Sequence, residues 1–126
     1  MAQLRPHLAE AEFVARVRRM QAQGYQLAFV SDGGQVRAVA GFRLTENLSA
    51  GRFLYVDDLV TDAAYRSQGC GARLLDWLRD YAQAQECQLL KLDSGVQRAD
   101  AHRFYFAQRM HIAAYHFALP LEDTAG

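Results

Sequence analysis

The stretch RSQGCGARLL, residues 66–75, decides how the rest of the chain is read. Gly69 and Gly71 stand one residue apart between an apolar run and a helical pattern, with Arg66 just upstream. Glycines there permit positive φ and let a ligand approach the main chain closely. The first-turn N–H groups of the following helix lack partners and carry the positive end of its dipole, which suits a pyrophosphate. A dinucleotide fingerprint would need a third small residue where Leu74 stands, and the Gly-Lys-Ser/Thr of a Walker loop is missing. Spacing alone leaves a plain tight turn and a phosphate cradle both open.

Working outward, residues 70–86 place Leu74, Leu78, Tyr81 and Ala82 on one helical face, with Leu75 and Trp77 on its flanks. Upstream, FLYVDDLVT (residues 53–61) is rich in strand formers, and TENLSAGR (residues 45–52) reads as a polar loop. YQLAFV (25–30) and QVRAVAGFRL (35–44) flank SDGG, a strong hairpin signal. Phe13, Val14, Val17 and Met20 recur at helical spacing between Pro6 and Gly24. Downstream, QLLKLDS (88–94) predicts a short strand, residues 98–109 a second helix, and IAAYHFAL (112–119) a strand that closes the sheet. Antiparallel strands come first and a strand–helix–strand crossover follows, so the expectation is a mixed α/β sheet with a central parallel pair.

A chain of 126 residues with a hydrophobic fraction of 51% is expected to form a single domain over residues 1–126. Fourteen basic residues balance fourteen acidic ones, which supports neither a nucleic-acid arm nor a polybasic membrane anchor. No apolar run approaches the roughly 20 residues of a membrane span. Cys70 and Cys87 show no disulfide framework, which suits a reducing cytoplasm. His111 and His116 have no ligand spacing to either cysteine, so no metal is expected.

Two carboxylates stand where strands rarely place them, Asp57 and Asp58. Alternation along a strand predicts one on each face, with Asp57 sharing its face with Tyr55 and Leu59. Either is a candidate base or substrate anchor; each could equally pair with a nearby arginine. Tyr105 lies between Phe104 and Phe106 on the later helix. Its phenol, with a pKa of about 10, can remain protonated and donate, or the ring can be one more core aromatic. His102 reads as a packing or surface residue, and Cys70 has no visible general base to make it a nucleophile.

VDDLVTDAAYRSQGCGARLLDWL and LLKLDSGVQRADAHRFY together resemble the GNAT superfamily of N-acetyltransferases. Residues 66–71 match its Arg/Gln-x-x-Gly-x-Gly/Ala acetyl-CoA loop, AHRFY (101–105) its tyrosine helix, and YHFAL its last strand. The resemblance implies a GNAT-like mixed sheet whose parallel strands splay around acetyl-CoA, used as cosubstrate. Pantetheine would lie along Leu59, Val60 and Thr61. The pyrophosphate would sit on the loop and first helical turn, from Arg66, Ser67, Gln68, Gly69 and Cys70 to Gly71, Ala72 and Arg73. It also implies Tyr105 as the acid that protonates the departing thiolate, and direct transfer to an amine on a small molecule or a protein. A non-catalytic acyl-CoA-binding or interaction domain is the alternative.

Three departures from the family pattern stand out. No strand precedes the first helix, so strand 25–30 would be an open edge, to be covered by a homodimer or another segment. Arg98 stands where many relatives carry asparagine, and Arg109-Met110 replaces the common Gly-Phe. Arg98 is kept among the cofactor contacts.

Overall fold

Two glycines in a row set the first hairpin. Gly33 and Gly34 have φ of 62° and 78°, the left-handed pair that a two-residue turn needs to match strand twist. They join β1 (Gln26–Asp32) to β2 (Gln35–Asn47). This computed structural model describes residues 9–62 and 69–121. Ahead of β1 lies α1 (Glu10–Gln21), ended by Gly24 at φ 96° and by a bond from the Tyr25 N–H to the Met20 carbonyl at 3.0 Å.

β2 runs antiparallel to β3 (Gly51–Thr61). Most of the expected polar loop at 45–52 is strand. Only three residues turn the chain, because Asn47 Oδ1 accepts the Ala50 N–H at 2.7 Å and Gly51 takes φ 69°. After α2 (Cys70–Ala84), β4 (Leu89–Leu92) pairs parallel with β3, and the sheet order is β1-β2-β3-β4. The expected parallel pair is present, and it lies at the edge of the described sheet.

α2 covers one face. Leu74, Leu78 and Ala82 are buried as their spacing predicts, and Leu75 joins them, whereas Tyr81 is only half-buried. The sheet answers with Ala38, Ala40, Phe42, Leu54 and Val56, all buried. Phe42 meets Trp77 and Tyr81 edge-on, at 6.3 and 5.8 Å between ring centres. Each fully buried Leu or Phe among them contributes about 1.5–3 kcal/mol, which favours one register of β2, β3 and α2.

The chain divides into two compact units, the first running to Leu92 and the second starting at Asp93. The second contains α3 (Ala99–Ala107). Residues 112–119, expected as the closing strand, have no strand pairing among the described residues. Their alternating pattern is strand-like, yet Tyr115 is 85% and Phe117 93% exposed, and a strand without a ladder partner has unpaired backbone groups.

Candidate functional site

The site begins with an irregularity in β3. Gly41 pairs with Asp58, but the next residue of β2, Phe42, pairs with Val56, so Asp57 is an extra residue in the ladder. A bulge of this kind bends the strand and re-aims its side chains. Upstream of it, Leu54 and Val56 share the α2 face with Leu44 and Phe42; downstream, Leu59 and Thr61 sit opposite Ala40 and Ala38 and take over that face. Strict alternation therefore fails here. Asp57 does not share a face with Leu59, and the two carboxylates do not divide between faces.

Both instead enter one polar cluster. The Tyr25 hydroxyl donates to Asp58 Oδ2 at 2.8 Å. Arg43 Nε donates to Asp57 Oδ2 at 3.0 Å, and the guanidinium carbon lies 5.7 Å from the centre of the Tyr25 ring. Burial pushes the Tyr25 phenol well above its ordinary range, helped by the bond to Asp58 and the charges of Asp58 and Asp57, with Arg43 pulling the other way. Tyr25 is thus a hydrogen-bond donor at neutral pH. Tyr25, Gly41 and Arg43 went unseen in the sequence as site residues. The lone glycine within the apolar run AVAGF was a usable signal, since glycine inside a strand marks a bulge or a close approach.

The parallel pairing of β3 with β4 covers only Phe53 to Val56 and stops at Val56 opposite Leu92. The bulge is the next residue. From Asp57 on, β3 keeps β2 on one side and has no β4 pairing on the other, so Leu59, Val60 and Thr61 lie on a stretch where the two parallel strands no longer bond.

Gly69 is the N-cap of α2, with φ 76°, and no side chain among the described residues caps the helix. Cys70, Gly71, Ala72 and Arg73 form its first turn, which holds no acidic residue. Arg73 N–H returns to the Gly69 carbonyl at 3.0 Å, while the N–H groups before it have no partner within the helix. Such a terminus attracts an anion. Cys70 is buried, 4% exposed. Arg66, Ser67 and Gln68 lie outside the described residues.

In the second unit, α3 presents Tyr105, half-buried and edge-on to Phe104 at 5.6 Å. Burial raises its phenol pKa and the nearby Arg98 charge opposes the rise. Arg98 is the N-cap residue of α3. His102 Nε2 lies 2.8 Å from the Gly95 carbonyl, a contact that ties the helix to the preceding turn.

A match to the acetyltransferase (GNAT) family runs over residues 3–111. The uncharacterized N-acetyltransferase YhdJ of Bacillus subtilis is 36% identical over 106 residues, which is 83% of this chain and 75% of that protein. The aminoalkylphosphonate N-acetyltransferase of Salmonella typhimurium is 30% identical over 66 residues, 52% of this chain and 43% of that one. Among solved structures, the aminoglycoside N-acetyltransferase AAC(6')-Iy in complex with CoA shares the fold. Its TM-score is 0.84 at 11% identity, over 94% of this chain and 82% of that one. A bulged strand that parts from its parallel neighbour, an uncapped glycine-led helix after it, and these likenesses place the chain in the acetyltransferase (GNAT) family of acetyl-CoA-dependent N-acetyltransferases.

Proposed function

We propose that this chain moves the acetyl group of acetyl-CoA directly to an amine, with no acyl-enzyme. The observation that carries the proposal is the coincidence of three features at one point of β3. The β4 pairing ends, the bulge begins, and two carboxylates gather on one face. Leu59, Val60 and Thr61 would take the pantetheine arm. The loop residues Arg66, Ser67 and Gln68 and the helix start from Gly69 to Arg73 would take the pyrophosphate, and Arg98 would add a cofactor contact.

An alkylammonium has a pKa of about 10.4 and must lose a proton to attack a thioester. Asp58 suits the role of base better than Asp57. The carboxylate of Asp57 is committed to the Arg43 guanidinium at 3.0 Å, and Asp58 is held in place by the Tyr25 hydroxyl at 2.8 Å. Asp58 takes the ammonium proton and the neutral amine attacks; as the C–S bond breaks, Tyr105 gives its proton to the departing thiolate, and the second proton shed by the acetylated nitrogen restores the phenol by way of solvent. Its raised pKa favours the protonated form that this acid role requires. The buried Cys70 is poorly disposed to act as a nucleophile, which supports direct transfer.

The family match crosses both compact units, which supports a single functional domain over residues 1–126. No helix among the described residues is long and apolar enough to cross a membrane, and the free thiols Cys70 and Cys87 fit a cytoplasmic setting. Among the described residues β1 pairs only with β2, and this edge position fits pairing into a homodimer.

The test is CoA thiol release from acetyl-CoA against a panel containing an aminoalkylphosphonate, an aminoglycoside, lysine and a polyamine. Binding should first appear as stabilisation, about 2.7 kcal/mol at one hundred times the dissociation constant. At least one amine should then release CoA, and Tyr105→Phe should slow that release roughly 100- to 10,000-fold. Stabilisation without release from any amine would leave a binding domain in place of the enzyme.

A further inference from the structure

We infer that Tyr25 is a positioning residue for acetyl transfer, and that Gly41 is glycine so that Tyr25 can reach Asp58. The inference rests on the reading of Asp58 as the base.

Three independent features converge on it. Tyr25 is 4% exposed, and its hydroxyl is spent on Asp58, 33 residues away in sequence, at 2.8 Å. A β-carbon added at Gly41 would overlap the Tyr25 phenol at its hydroxyl and Cζ, and would stand 2.7 Å from Cε1. Gly41 is the residue opposite Asp58 in the ladder, at the bulge itself. The ring therefore crosses the sheet through the one place where β2 has no side chain and ends on the carboxylate.

The same ring lies against Arg43, which holds Asp57. Arg43 thus holds Asp57, and the Tyr25 hydroxyl holds Asp58. A bulge alone leaves its side chains free to choose among rotamers. A buried donor on a rigid ring narrows Asp58 to one, at little entropic cost, because the phenol is already fixed by packing.

Four proteins test this: wild type, Tyr25→Phe, Asp58→Asn and the double variant. Each is assayed by CoA release from acetyl-CoA, with the amine that the panel identifies and with water as the acceptor. Tyr25→Phe should lower kcat about 10- to 100-fold, the rate equivalent of one hydrogen bond to a charged group. The acetyl-CoA dissociation constant should hold, since only the orientation of Asp58 changes. In the Asp58→Asn background the same substitution should cost no further rate, because it acts through a carboxylate no longer present.

A wild-type kcat for Tyr25→Phe, or an equal loss in both backgrounds, overturns the inference while leaving the base intact. A wild-type rate for Asp58→Asn removes the base reading itself. Tyrosinate absorbance supplies a readout free of activity: Tyr25 should ionise at lower pH in Asp58→Asn than in wild type. An unchanged titration would also overturn the contact on which the inference stands.

Discussion

Tyr25 is a residue whose ionisation and whose packing are the same fact. Its phenol is held neutral by burial first and by its carboxylate neighbours second. In the unfolded chain it titrates near an ordinary value of about 10. The folded value is raised, so the folded state holds the proton longer than the unfolded state does. This contribution is complete below about pH 10 and is lost as pH rises from there toward the folded value. The expected outcome is a fall in unfolding free energy above about pH 10, with Tyr25 supplying about 1.4 kcal/mol per pH unit of it. Urea titrations at stepped alkaline pH should show a shallower fall in Tyr25→Phe, with Tyr105 left as the other raised phenol. Equal slopes would mean that the Tyr25 hydroxyl is not enclosed as described.

Among the elements, α2 was the most legible and the bulge the least. Leu74, Leu78 and Ala82 follow a period that the chain itself carries, so their burial could be read locally. The bulge at Asp57 is a relation between two strands, set by which residue of β2 faces which of β3, and no single stretch records it. The pairing of Asp57 with Arg43 and of Asp58 with Tyr25 was hidden for the same reason. The glycine loop was legible as a motif because main-chain geometry there depends on residue type. At Gly69 the reason is isolated: φ is 76°, and an added β-carbon would meet none of the described residues within 4 Å. Substitution there has a purely conformational cost. Gly69→Ala should lose about 1 kcal/mol in chemical denaturation, and Gly69→Asn less, since asparagine tolerates the left-handed region. Equal losses for the two would point to a different conformation at the start of α2.

At the scale of the molecule, charge and apolar exposure combine. The formal net charge is zero at pH 7, so no long-range repulsion keeps copies apart. Phe29 is 63% and Trp77 49% exposed in the first unit, and Leu119 is 81% exposed in the second. The strand pattern of residues 112–119 was readable, but whether it meets a ladder partner is not a property of the segment. We expect concentration-dependent self-association near neutrality that weakens at about pH 9, where the chain becomes anionic. Sedimentation velocity over a range of concentrations checks this. A single monomeric species across both pH values would show that the exposed side chains are too scattered to act as a patch.

The extra residue in β3 has a consequence for how this strand can vary. It works as a phase slip in a two-beat rhythm: even-numbered positions point into the layer beneath α2 before it, odd-numbered positions after it. The downstream half of β3 is therefore written in the opposite parity from the upstream half. Deleting Asp57 would not merely remove a carboxylate. It would remove the bulge and let Asp58 follow Val56 directly in the ladder, with Leu59 and Thr61 still opposite Ala40 and Ala38 beneath α2 and Val60 still facing away. Loss of Asp57 should therefore leave the packing beneath α2 in place and cost the bend of β3 and the partner of Arg43.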